Sequence, residues 1–168
     1  MKRFYAAATV EAGEEGHAIL LDGRPVRTPA RALLRLPSAP LAEAIAAEWN
    51  AQGDSVQPRT MPLTGLANAA LDRVASQRDT FAAGLARYGE SDLLCYRAEG
   101  PAALVARQAE AWDPLLAWAR RRYDADFVVA AGIMHRPQPE GTLARLKAAL
   151  LARSPFELAA LSPLVTVS

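Results

Sequence analysis

The chain has 168 residues, about half of them apolar, and a formal net charge of +1. That length gives one ordinary domain, or a small one joined to a larger, and the composition excludes disordered and fibrous classes. With so little net charge there is no global attraction to nucleic acid or to an anionic membrane surface. No apolar run approaches the roughly 18 residues that span a bilayer, so no membrane insertion is expected.

The opening residues Met1-Lys2-Arg3-Phe4-Tyr5 lead into too short an apolar stretch for a signal peptide, and they lack the Ser- and Arg-rich pattern of an import leader. The expected location is the bacterial cytoplasm. A single cysteine, Cys95, excludes an intramolecular disulfide.

In chain order, residues 1–36 read as strands. Residues 4–10 form an extended candidate, and residues 11–16 a polar, Gly-containing loop. His17-Ala18-Ile19-Leu20-Leu21 runs into Asp22-Gly23, the pair that suits a two-residue type I′ turn. Residues 24–28 return antiparallel, with Pro25 restricting that return to an edge or bulge. Residues 31–36 are a further short strand.

From Pro37 the period changes. Ser38 is placed to cap a helix with Leu41, Ile45 and Trp49 four apart on one face, and Gly53 to stop it. Thr64 is placed to cap a second, with Leu66, Ala70, Leu71 and Val74 as its stripe. Ser76 with Asp79 resembles a shortened capping box for a third, carrying Phe81, Leu85 and Tyr88 up to Gly89.

The longest helical stretch covers residues 101–123. Leu104, Val105, Gln108, Trp112, Leu115, Ala119 and Tyr123 recur there at three- or four-residue steps. Pro114 predicts a kink, or a break at which Asp113 caps a second helix. Residues 126–130 are a short strand candidate, and Leu143, Leu146 and Leu150 mark one more helix. The apolar residues 156–167 need cover, from preceding helices or from chain beyond Ser168.

Few residues suggest chemistry. No glycine precedes Lys2 or Lys147 in a phosphate-loop pattern, no Gly-x-Gly pair exists, and no Gly-x-Ser-x-Gly elbow appears. His17, His135 and Cys95 are scattered, against the clustered ligands of a zinc site. His17 reads as an edge-strand residue, His135 as solvated, and Cys95 as a small buried hydrophobe. Arg120-Arg121-Arg122 reads as a solvated helix end that complements the helix dipole. No cofactor, metal or nucleic acid is expected.

Three segments carry a pattern together: Leu21-Asp22-Gly23-Arg24-Pro25-Val26-Arg27-Thr28-Pro29; Ala47-Glu48-Trp49-Asn50-Ala51-Gln52 with Thr60-Met61-Pro62-Leu63-Thr64; and Asp92-Leu93-Leu94-Cys95-Tyr96-Arg97-Ala98-Glu99 ahead of Trp112-Asp113-Pro114-Leu115. In this order and spacing the chain resembles the ATP synthase F1 complex assembly factor 2 family, found in mitochondria and α-proteobacteria. The resemblance implies a chaperone, not an enzyme, with unassembled F1-ATPase α subunit as its partner. For eukaryotic relatives it implies the mitochondrial matrix. It further implies that this chain, ending at Ser168, lacks helices and an acidic segment that follow in family members.

The expected fold is α+β. A small N-terminal antiparallel β domain over residues 1–37 precedes a mainly α-helical, orthogonal-bundle-like domain over residues 38–168. The candidate partner-binding residues, taken from the motifs, are Glu48, Trp49, Asp92, Arg97, Trp112 and Asp113. Each has a plainer role open to it: core packing for Trp49, Trp112 and Trp118, and internal ion pairs or helix caps for Glu48, Asp92, Arg97 and Asp113. A small hydrolase using Asp92, Cys95 or a carboxylate pair, or a scaffold unrelated to ATP synthase, stays open as an alternative. The oligomeric state is open too, with a monomer as the working expectation.

Overall fold

A computed structural model describes residues 1–167, so the expected end of the helical domain at Ser168 lies outside the described residues. The fold is α+β, an N-terminal antiparallel sheet followed by helices. The described residues divide into two compact units. One comprises Met1–Gln77 with Pro155–Ala160, the other Arg78–Ser154 with the residues from Leu161 onward. Secondary structure changes from strand to helix near residue 37, whereas compactness places the first helices in the same unit as the sheet.

In the first unit, β1 (Ala8–Gly13) pairs antiparallel with β2 (Gly16–Leu21), in register from Ala8 opposite Leu21 to Gly13 opposite Gly16. Residues 11–13, expected in a loop, are strand. Only Glu14 and Glu15 turn the chain, because Gly16 at φ +110° takes a backbone conformation closed to other residues. Asp22 and Gly23 have φ of +47° and +80°, the left-handed pair that a type I′ turn requires. They join β2 to β3 (Arg24–Pro25), and β4 (Arg35–Leu36) pairs with the other end of β2. Pro25 therefore lies on an edge, as expected. His17 does not: β2 is the central strand, with Ala12 on one side and Leu36 on the other.

The expected strand at residues 4–7 is absent. The Asp22 carboxylate accepts the Ala6 and Ala7 N–H groups, each at 2.9 Å, and satisfies the donors a neighbouring strand would have used.

Ile19 and Leu21 alternate into the core in strand fashion. They meet Ala42, Ile45 and Ala46 from α1 (Ala39–Asn50), with Leu41 and Trp49 half-buried beside them. Full burial of Ile45 contributes about 2 kcal/mol. Ser38 precedes α1 without making a side-chain cap, and Gly53 does not stop it. The helix ends at Ala51, where the buried Gln52 amide donates to the Glu48 carbonyl at 2.9 Å and accepts the Gln57 N–H at 2.8 Å.

Next come α2 (Pro62–Ala69), a π-helical turn over Ala70–Val74, and α3 (Arg78–Ala86), the last opening the second unit. The expected capping box is not formed. Ser76 donates to the Arg73 carbonyl, and Asp79 pairs with Lys147 at 3.0 Å.

A 3-10 turn over Arg87–Ser91 continues α3. A side chain on its Gly89 would meet the Leu146 side chain at 2.6 Å, so glycine permits the close approach of α5 (Glu140–Leu151). Between these lie β5 (Tyr96–Arg97), α4 (Ala102–Tyr123) and β6 (Ala130–Ala131). Of the expected strand at residues 126–130, only its last residue lies in β6. The backbone of Val128 bonds the Gln138 amide in both directions instead. Helix α4 passes unbroken through Pro114 and closes at Asp124, which donates its N–H to the Arg120 carbonyl and, with φ at +54°, turns the chain out of the helix. The last helix, α6 (Pro155–Val167), buries Leu158 and Ala159.

Candidate functional site

Each motif residue occupies a definite place. In the first unit, the Glu48 carboxylate accepts the Leu63 N–H at 2.7 Å, the Thr64 N–H at 2.8 Å and the Thr64 hydroxyl at 2.7 Å. Thr64, expected to cap a helix, is therefore itself a donor to a cap carried on α1. The next residue, Trp49, stands edge-on to Tyr5 at 5.5 Å, and the Tyr5 hydroxyl donates to the Trp49 carbonyl at 2.7 Å. Trp49 also lines a cleft with Phe4, Tyr5, Leu21 and Val26, and its Nε1 is buried without a partner.

The remaining four motif residues, 92, 97, 112 and 113, form a single cluster in the second unit. Asp92 accepts the Leu94 N–H at 2.8 Å and so caps a short 3-10 turn over Leu93–Cys95. That turn aims the Leu94 carbonyl at Arg97 Nε, 3.0 Å away. The buried Arg97 guanidinium stacks on the Trp112 ring at 5.2 Å. Its Nη2 lies 2.9 Å from Asp113 Oδ1, an ion-pair contact without hydrogen-bond alignment. Asp113, expected as a helix cap if α4 broke at Pro114, instead compensates a buried charge. The cluster forms because β5 and β6 pair in parallel, with Arg97 opposite Ala131, and because the Ala98 N–H is held by Gln108 Oε1 at 2.8 Å.

The candidate nucleophile sits beside this cluster. Cys95 is buried, and its thiol is pushed up to about 11, first by desolvation and then by the nearby Asp92 charge, with Arg97 opposing. A thiol held protonated and out of solvent has little nucleophilic character. His135 is exposed, with Nδ1 3.1 Å from the Tyr96 hydroxyl. Among the described residues, no three His, Cys, Asp or Glu side chains converge as a metal site would need. No described helix is long and apolar enough to cross a membrane.

Core packing accounts for Trp49 and largely for Trp112, but not for Trp118, which is exposed on α4 together with Leu104 and Leu115. The expected stripe named Leu104 and Leu115 as inward residues. The half-buried face is instead Val105, Gln108, Trp112, Leu116 and Tyr123. Both sets recur at helical spacing, so periodicity alone could not choose between them.

Residues 2–120 match the family of the ATP12 chaperone protein. Across 99% of this chain, the structure of a point mutant of Atp12p from Paracoccus denitrificans superposes with a TM-score of 0.91 at 46% identity, and 71% of that protein is covered. The crystal structure of Atp12 from the same organism gives a TM-score of 0.90 at 46% identity with the same coverage. A protein from Agrobacterium tumefaciens, proposed to be a chaperone, gives 0.87 at 44% identity over 99% of this chain and 63% of its own length. The chain belongs to the ATP12 chaperone family, the family its three sequence segments resemble.

Proposed function

We propose that this protein is an ATP synthase assembly chaperone that holds the unassembled F1-ATPase α subunit and keeps it from aggregating, without catalysis. Membership of the ATP12 chaperone family is the observation that carries this role. A subunit parted from its neighbours exposes an apolar interface and aggregates through it. Reversible cover by another protein suffices to prevent this, and it requires no nucleotide, metal or tuned acid.

The motif residues contribute in two ways. Glu48, Asp92, Arg97 and Asp113 fix the backbone of the elements that carry them, and Trp49 and Trp112 add large apolar surface beside those elements. The test is co-expression with the cognate α subunit, scoring how much α stays soluble and co-purifies. A clear rise in soluble, co-purifying α is expected. An α subunit that aggregates to the same extent with and without the chain would reject the role.

A further inference from the structure

The outer edge of β1 is open along most of its length. Ala7 accepts the Asp22 N–H, so Ala7 and every second residue after it, Thr9, Glu11 and Gly13, bond toward β2. Ala8, Val10 and Ala12 therefore turn their N–H and C=O groups outward. At Ala8 the outward groups are filled: the Asn50 side-chain amide accepts the Ala8 N–H at 2.8 Å and donates to the Ala8 carbonyl at 2.9 Å. One side chain thus makes both bonds that a residue of a further strand would make. The N–H and C=O of Val10 and of Ala12, four groups in all, have no partner among the described residues.

Edge strands are commonly blunted by proline, lysine, a bulge or extreme shortness. Across the sheet, Pro25 does this for β3. Strand β1 has six residues in unbroken register, without proline or lysine. Its side chains alternate: Ala8 and Val10 pack toward the core, while Thr9 and Glu11 are exposed on the other face. Glu11 and Glu14 have no ion-pair partner among the described residues, whereas Glu15 is paired with Arg35 at 3.2 Å.

A second copy of the chain is poorly suited to this edge. The two-fold antiparallel register that uses all four open groups sets Val10 against Ala12 of the other copy. It therefore sets Glu11 directly against Glu11, a like-charge pair that opposes association. A register centred on Val10 requires Ala8, which Asn50 already occupies, and one centred on Ala12 runs into the turn at Glu14 and Glu15. Each of those leaves a single bonded pair.

We infer that the open edge of β1 receives an extended segment of the client subunit with the side-chain order apolar, basic, apolar; the inference rests on the chaperone role proposed above. Two residues of the segment exchange backbone hydrogen bonds with Val10 and Ala12, as a further strand of the sheet would. Their side chains lie on the same face as Val10 and Ala12. The residue between them projects to the other face opposite Glu11, where a lysine or arginine pairs with it. A subunit parted from its neighbours exposes unpaired strand edges as well as apolar surface, and joining this sheet satisfies them.

The experiment compares the wild-type chain with Ala12→Pro, Glu11→Arg and Glu11→Gln, each co-expressed with the cognate F1 α subunit. Ala12→Pro deletes an outward N–H that bonds nothing within the chain, and Glu11 is exposed, so urea midpoints should stay near wild type. The Glu11 variants probe the same edge if Ala12→Pro folds poorly. Recovered α should fall about fivefold or more with Ala12→Pro and with Glu11→Arg, and less with Glu11→Gln. Amide exchange in the purified complex supplies a second readout. The Val10 and Ala12 N–H groups should exchange quickly in the free chain and about tenfold or more slowly once α is bound, with those of Thr9 and Glu11 slow in both states. Wild-type recovery of α that is undiminished in Ala12→Pro and Glu11→Arg, with Val10 and Ala12 exchanging as fast in the complex as alone, overturns this inference and leaves the chaperone role standing. Failure of the wild-type chain to recover any α removes the role and the inference together. A wild-type dimer in analytical ultracentrifugation that Ala12→Pro dissociates would assign the edge to self-association, and that too overturns the inference.

Discussion

Glu48 and Thr64 are joined twice: one carboxylate oxygen takes both the Thr64 N–H and the Thr64 hydroxyl, while the other takes the Leu63 N–H. Helix α2 begins with Pro62, and Met61 before it offers no side-chain cap. The start of α2 is therefore held by a charge from α1, which satisfies helix-end donors and complements the helix dipole. Removing it in Glu48→Ala should cost about 2 kcal/mol, and Glu48→Gln about half of that. Urea unfolding measures both. An unchanged midpoint for Glu48→Ala would show that the carboxylate does not support the fold.

Arg97 and Asp113 should respond unequally to substitution. The Arg97 side chain is 9% exposed and Asp113 is 62% exposed. Arg97→Ala removes the ring stacking and the bond to the Leu94 carbonyl, and it leaves Asp113 free in water. It should destabilise by about 3 kcal/mol. Asp113→Asn keeps a neutral acceptor near solvent and should cost about 1 kcal/mol. Chemical denaturation of the two variants decides the order, and equal losses would contradict the geometry.

Asp22 should make stability depend on pH. The N–H groups of Ala7 and Ala6 hold its carboxyl below the ordinary carboxylate range. Since the folded value lies below the unfolded one, near 3.9, the stabilisation is present above about pH 4. It is lost as the pH falls through the folded value. Asp22→Asn keeps a residue type that tolerates the left-handed turn but has no such charge. The wild-type chain should therefore be the more stable at pH 7, and the gap should close as the pH drops toward 2. A gap of constant size across that range would rule out the carboxylate as its source.

Cys95 should resist modification. At pH 8, three units below about 11, about one thiol in a thousand is ionised, and the residue is buried. Iodoacetamide should label it slowly in the folded chain and quickly once guanidinium unfolds it. Rapid labelling of the native protein would place the thiol at the surface.

Much of this architecture was legible locally. Asp22-Gly23 specified its turn, because few residues other than glycine, asparagine and aspartate accept positive φ. The order of helices followed from apolar period and proline positions. What local pattern could not supply was any contact set by distant partners. Glu48 gives no sequence sign that it caps a helix beginning at Pro62, and nothing near Asp113 names Arg97 as its partner. The segment at residues 4–7 read as strand because its donors were expected to find another strand, whereas they find Asp22. On α4 two apolar series with the same period were superimposed, and only packing separates them.

The parallel pairing of Tyr96 with Ala130 and Arg97 with Ala131 gives α4 its tether. Everything from residue 98 to residue 129 is an excursion that leaves and re-enters the chain at a neck two residues wide. No side chain of α4 itself is fully buried, so the helix depends for its order on that neck, on the Arg97 stack and on the bonds of Asp124, Asp126 and Val128 to Arg145, Thr142 and Gln138. Loosening the neck releases the whole helix as a cooperative unit. Its amides should then exchange with solvent together, ahead of those of the sheet, so this arm of the protein can breathe while the first unit stays folded.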